Sequence, residues 1–273
     1  MNRDYRLELA QNTLKIIENG FYIYKDQKVD VAQLIENNVN ATETIVPNDW
    51  EGITAKPIYN FEEPVEIEVK NCSTIEAIVN QDYAKIGVLN FASAKNPGGG
   101  FLGGASAQEE SLARSSSLFA SLTKDRTMYD YNKNQRSFLY SDYMIYSPNT
   151  VFWFDDNGNA FKNPILVDVI TSPAPNKGAM LQHNRIEEMQ QIESVFLKRM
   201  DYLMHYANLQ KTECLVLGAW GCGVFRNESS DVAQWFKKVI LQKYSKAFKK
   251  IVFAVYDTSE KKLNHKAFED NLR

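Results

Sequence analysis

The sequence predicts an α/β fold: a mixed, mostly parallel sheet flanked by helices, with an N-terminal helical extension. Three observations carry this. Short apolar or alternating runs at Val65–Lys70, Ile86–Ala92, Pro164–Ile170, Cys214–Leu217 and Lys250–Tyr256 have the length and residue types of strands. Helix-length segments separate them, an order that implies βαβ units and a mostly parallel sheet. Two of the runs lead into glycine-rich loops, at the strand ends where open α/β sheets hold ligands.

In chain order, Arg3 to Glu18 reads as a helix with Leu7, Leu14 and Ile17 on one face, stopped by Asn19-Gly20. Phe21 to Lys25 alternates like a strand, and Val31 to Asn37 is a short helix. Ala41 to Pro64 is rich in turn residues and reads as the connection from the extension, residues 1–60, to the main domain, residues 61–273. Ser73 and Glu76 form a capping box for a helix ending near Asn80. A helix is expected from Ala107 to Leu122. Ser137 to Tyr146 reads as mixed strand and loop. Val151–Phe154 forms a strand that enters a tight turn at Asp155–Asn159. Long helical patterns cover Gln182–Ala207 and Asp231–Tyr244, and a last helix covers Ser259–Leu272.

With 273 residues, 44% hydrophobic and 24% charged, the chain is long enough to bury a sizeable core. A net charge of −3 with both signs interspersed excludes a general nucleic-acid footprint. No apolar run is long enough to span a bilayer, so no membrane partner is expected. Cys72, Cys214 and Cys222 lack the spacing of a zinc site or a disulfide framework. They point to a reduced, cytoplasmic setting. His183, His205 and His265 show no metal-ligand spacing, and no metal or cofactor is expected. His205 reads as a solvated residue near a helix end.

The stretch Asn96-Pro97-Gly98-Gly99-Gly100 to Gln108-Glu109-Glu110 holds the strongest chemical signal. A glycine loop lets a ligand approach the backbone closely, and free N–H groups at a helix start attract anions. Gly98-x-Gly100-x-x-Gly103 matches a dinucleotide fingerprint formally. Ala94 to Pro97 separates it from the strand, however, and the acidic residue expected further on is missing. No Gly-Lys-Ser/Thr follows, which excludes a P-loop.

The carboxylates have structural readings as well as chemical ones. Ser106-x-x-Glu109 matches a capping box, and Glu110 with Arg114 matches an i,i+4 ion pair. Adjacent helical residues point about 100° apart, so the pair cannot face across a bond as in a standard two-carboxylate glycosidase. One glutamate is then expected to move protons and the other to orient the ligand. A second loop, Gly218 to Phe225, follows another strand. Two such loops could wrap a diphosphate with backbone N–H groups. Phe225 could stack on a ligand or pack as core, and Cys222 has no adjacent base to activate it.

At these residues the sequence resembles the microbial-type poly(ADP-ribose) glycohydrolases, a branch of the macrodomain fold. The shared signature is a glycine triplet, a short spacer and Gln-Glu-Glu, here Gly98-Gly99-Gly100, Phe101 to Ala107, and Gln108-Glu109-Glu110. The flanks Val88 to Ser93 and Gly218 to Phe225 agree as well. The resemblance implies a three-layer macrodomain and an enzyme that releases ADP-ribose from poly(ADP-ribose), from chain ends. Glu110 would be the catalytic acid/base and Glu109 would hold ribose hydroxyls. Substrate contacts would come from Asn90, Asn96, Gly98, Gly99, Gly100, Gln108, Gly221, Cys222, Gly223, Val224 and Phe225. The partner would be poly(ADP-ribose) or ADP-ribosylated protein, with ADP-ribose as product ligand. A reader that binds ADP-ribose without cleaving it, and a mono-ADP-ribosyl hydrolase, stay open as alternatives.

Overall fold

A computed structural model describes all 273 residues. The N-terminal segment forms α1 (Arg3–Asn19), the hairpin β1 (Phe21–Tyr24) and β2 (Gln27–Asp30), α2 (Ala32–Ala41), β3 (Glu43–Ile45) and α3 (Trp50–Thr54). Asn2 caps α1 by accepting from the Tyr5 N–H, and Gly20 ends it at φ +73°. The stretch expected as a bare connection therefore holds β3 and α3. In particular, β3 joins the main sheet as an edge strand beside β6 (Met144–Phe154).

The rest follows as β4 (Glu66–Lys70), α4 (Thr74–Val79), β5 (Ile86–Phe91), α5 (Gln108–Ser115), α6 (Leu118–Lys124), α7 (Thr127–Asn134), β6 and β7 (Ala160–Ser172). After these come α8 (Lys177–Gln182), α9 (Ile186–Met189), α10 (Ile192–Leu209), β8 (Cys214–Leu217), α11 (Ser229–Val239), β9 (Lys250–Ala254) and α12 (Leu263–Leu272). The seven-stranded sheet has the order β3-β6-β7-β5-β8-β9-β4. From β7 to β4 every pairing is parallel, and β6 and β3 add antiparallel at one edge. The expected mixed, mostly parallel sheet is what forms.

Strand side chains alternate between two cores. Leu89, Leu215, Leu217, Ile251 and Phe253 pack with Met200 of α10, Phe236 of α11 and Phe268 of α12. Val88, Val216 and Val252 pack on the other face with Ile75 of α4, Leu112 of α5 and Leu118 of α6. Unbroken apolar runs in these strands thus reflect burial on both faces, and the result is three layers.

Several elements depart from the sequence expectation. The helix expected over Ala107–Leu122 breaks at Ser116 and Ser117, where Ser117 and Val151 of β6 exchange hydrogen bonds, each 3.0 Å. The long pattern from Gln182 breaks at Asn184, which is left-handed at φ +51°. His205 is buried at 1% exposure, with Nδ1 3.5 Å from the Tyr244 hydroxyl. Packing of the last turns of α10 against the Tyr244 segment removes it from solvent. The β6–β7 hairpin is much longer than the two short strands expected. Its bulges fall between Ser147 and Thr150 and between Phe152 and Phe154, where extra residues bend the ribbon. Gly158 at its tip, at φ +84°, meets Tyr5 and Leu9 of α1 so closely that a Cβ would lie 2.7 and 2.8 Å from them.

Candidate active site

Parallel strands deliver the loops after β4, β5, β7, β8 and β9 to one edge of the sheet. They border a cleft of about 1210 Å³, closed on one side by Met1 and Arg6 of the N-terminal segment and by Asp155–Asn157 at the hairpin tip. The cleft opens where β5 and β8 part company. Their pairing ends at Val88–Val216. Beyond it the Leu89 carbonyl and the Phe91 N–H lose their strand partner. The Gln108 carboxamide replaces that partner: Oε1 accepts from Phe91 N at 2.9 Å and Nε2 donates to Leu89 O at 2.9 Å. Nε2 also donates to Thr74 Oγ1 at 3.2 Å. Gln108 therefore anchors the start of α5 to the sheet, as buried peptide groups require partners.

This anchor places the two carboxylates. Glu109 points inward and is 2% exposed. Its Oε2 accepts from the Ser93 N–H at 2.6 Å and its Oε1 from Asn90 Nδ2 at 3.3 Å. Burial pushes the Glu109 carboxyl up to about 8. The Ser93 and Asn90 donors pull the other way, and the neighbouring Glu110 adds to the rise. Glu110 faces the cleft, and its Oε1 accepts from the Gly100 N–H at 2.9 Å. Gly99, at φ +58°, wraps so closely around the pair that an added Cβ would fall onto Glu110 Oε1.

Neither structural reading of the carboxylates survives. α5 begins at an Ala107 cap with no side-chain hydrogen bond, so Ser106 and Glu109 form no capping box. Arg114 is 2% exposed and turns away from Glu110, donating to the Ala105 carbonyl at 2.5 Å and to Ser111 Oγ at 3.2 Å. Burial sets both outcomes: Glu109 turns to Ser93 and Asn90, and Arg114 reaches the Ala105 carbonyl.

The glycine loop is held from behind by α1. Arg6 donates to the Gly104 carbonyl at 2.7 Å and Arg3 to the Gly103 carbonyl at 3.2 Å. The second loop turns at Gly221, φ +74°, whose carbonyl accepts from Asn227 Nδ2 at 2.9 Å. The same amide reaches the Pro175 carbonyl at 2.8 Å, tying this loop to the exit of β7. Cys222 donates weakly to the Trp220 carbonyl at 3.6 Å, and burial pushes its thiol up to about 12. It is thus held as a thiol and is no nucleophile.

Of the residues expected at the site, Glu109, Glu110, Asn96, Gly99, Gly100, Gln108, Gly221, Cys222, Gly223, Val224 and Phe225 line the one cleft. Asn90 and Gly98 do not. Asn90 is fully buried and spends its amide on Glu109 and on Thr171 Oγ1, 3.2 Å away. It supports the Glu109 carboxylate from beneath. Gly98 is buried against Phe101 and Phe119. Sequence reasoning also missed Asp156, which lines the cleft and accepts a hydrogen bond from Ser73. Burial raises its carboxyl while the Ser73 hydrogen bond opposes the rise. Asp156 gives no local signal beyond a turn, because only the bent hairpin brings it to the cleft.

Two adjacent carboxylates, Glu109 and Glu110, thus sit beside two glycine loops that line one cleft. Fold and site together define the class as a glycosidase of macrodomain architecture. A family profile described as microbial-type PARG, catalytic domain, matches residues 10–155. The poly(ADP-ribose) glycohydrolase of Thermomonospora curvata is 36% identical, with a TM-score of 0.92 over 98% of this chain and 100% of that one. The same enzyme bound to the inhibitor ADP-HPD gives 36% identity and a TM-score of 0.90, over 98% of this chain and 99% of that one. The Deinococcus radiodurans enzyme in complex with ADP-ribose gives 36% and 0.84, over 90% and 99%. A comparison with curated proteins finds no match. The chain belongs to the microbial-type poly(ADP-ribose) glycohydrolase family. No helix is long and apolar enough to cross a membrane.

Proposed function

We propose that the protein hydrolyses the ribose–ribose O-glycosidic bonds of poly(ADP-ribose) and releases ADP-ribose from chain ends. The observation that carries this reading is the Glu109–Glu110 pair, seated between two glycine loops with one carboxyl buried and the other facing the cleft. The diphosphate lies between the Gly99–Gly100 turn and the Gly221–Phe225 loop, with Asn96 and Val224 at the rims. Glu109 holds the hydroxyls of the ribose to be released. A carboxyl near 8 is largely neutral at pH 7, so it can donate as well as accept a hydrogen bond.

Glu110 protonates the leaving 2′-oxygen as the C1–O bond breaks, leaving an oxocarbenium-like ribosyl group. A water then adds to that carbon, and the Glu110 carboxylate accepts its proton, which restores the acid. One carboxyl serves both steps because its neighbour on the helix faces elsewhere. Cleavage at chain ends fits a cleft walled on one side by α1 and the hairpin tip. A reduced, cytoplasmic setting fits the free cysteines Cys72, Cys214 and Cys222.

The test incubates the protein and its Glu110→Gln variant with poly(ADP-ribose) and, separately, with mono-ADP-ribosylated protein. Release of ADP-ribose from the polymer by the wild type alone supports the reading. Tight ADP-ribose binding with no release from either substrate would make the protein a reader. Release from the mono-modified protein alone would make it a mono-ADP-ribosyl hydrolase.

A further inference from the structure

Phe225 is the aromatic residue at the rim of the second glycine loop, and its ring is backed by Tyr140. The two ring centroids lie 6.0 Å apart at 45°. Tyr140 itself is in the left-handed region, at φ +58°. That conformation is unfavourable for a bulky side chain and persists only where the surroundings enforce it.

Arg199 enforces it. This side chain, on α10, is 1% exposed. Its Nη2 donates to the Tyr140 carbonyl and its Nη1 to the Pro173 carbonyl, each at 2.9 Å. Nε donates to Asp142 Oδ1 at 2.9 Å, two residues beyond Tyr140. At the other end of Tyr140, Asn176 Nδ2 donates to the hydroxyl at 3.3 Å. Carbonyl and hydroxyl are both pinned, which leaves the ring one place to lie. Neither Tyr140 nor Arg199 lines the cleft.

We propose that Arg199 and Tyr140 are positioning residues for substrate binding: Arg199 holds Tyr140 in its left-handed conformation, and Tyr140 sets the angle at which Phe225 meets the ligand. This rests on the reading above that Phe225 contacts ADP-ribose. It adds a second layer, rooted in α10, that the loop sequence does not contain.

The test is a double-mutant cycle on ADP-ribose affinity, measured by calorimetry, with a melting curve for every variant. Tyr140→Gly removes the ring yet suits the positive φ, and Tyr140→Phe keeps the ring. Arg199→Lys removes the guanidinium fork. Tyr140→Gly and Arg199→Lys are expected to weaken binding by about threefold to tenfold, the worth of an ordered aromatic contact. Tyr140→Phe should bind nearly as wild type. In a Phe225→Ala background, Tyr140→Gly and Arg199→Lys should cost nothing further. Equal losses in both backgrounds would overturn the proposal, as would wild-type affinity for Tyr140→Gly. If Phe225→Ala alone binds ADP-ribose as tightly as wild type, the reading of Phe225 as a ligand contact is what fails.

Discussion

The Gly100 N–H donates to Oε1 of Glu110 at 2.9 Å, so the loop that would receive phosphate also orients the carboxyl that would move the proton. An N–H donor suits Oε1 whether the group is a carboxylate or a carboxylic acid. Oε2 takes no protein donor. Loop and acid are thus one mechanical unit, joined by a backbone group that no side-chain substitution removes.

Replacing Glu110 with Gln keeps the acceptor for Gly100 but removes the transferable proton. Turnover of poly(ADP-ribose) should fall by about 10²- to 10⁴-fold, the usual worth of general acid–base catalysis. ADP-ribose affinity, measured on the same protein, should stay close to wild type. A variant with full turnover would remove Glu110 from the mechanism.

Gly99→Ala places a methyl group on Glu110 Oε1 and forces alanine to φ +58°. A left-handed alanine costs on the order of 1 kcal/mol or more. The melting temperature should drop, and kcat should fall further than that loss of stability explains. Gly103→Ala is the control, since an added Cβ there meets nothing within 4 Å.

Glu109 makes stability depend on pH. Burial raises its carboxyl from 4.5 to about 8 in the folded protein. The folded state therefore binds a proton that the unfolded state has released between these values, and stability falls as pH rises through that window. The contribution is full below about pH 4.5 and is lost by about pH 8. Glu109→Gln should flatten this slope. Urea unfolding at pH 5 and pH 8 measures it: the variant should gain on the wild type at the higher pH. An unchanged slope would place the titration elsewhere.

Gln108→Ala leaves the Leu89 carbonyl and the Phe91 N–H without their protein partner at the end of β5. Unpaired buried peptide groups cost about 1–3 kcal/mol each, so unfolding free energy should drop by at least that order. Gln108→Glu should be worse than Gln108→Asn, because its second oxygen would face the Leu89 carbonyl. Chemical denaturation of the three variants gives the ranking.

Much of the fold was legible because local pattern and global burial agree. Val88 and Leu89 face opposite cores, so β5 reads as an unbroken apolar run. Gly20 ends α1 where an Asn-Gly stop stands. The break at Ser116 was not legible, since it exists to let the chain bridge to Val151, far away in sequence. β3 was hidden in turn-rich sequence because an edge strand of three residues has too little pattern to register.

The order of residues alone determined the chemistry on offer: a glycine triplet, a spacer, two adjacent carboxylates and a second glycine loop, each a short-range pattern that needs no partner to be seen. Only the tertiary structure decided how that chemistry is divided. It buried Glu109 over Asn90 and the Ser93 amide, and it turned Glu110 to the cleft on the Gly100 amide. It drew Arg114 into the Ala105 carbonyl instead of an ion pair, and it bent a distant hairpin until Asp156 reached Ser73. Desolvation and hydrogen-bond completion set each of these choices, and both depend on what lies across space from a residue.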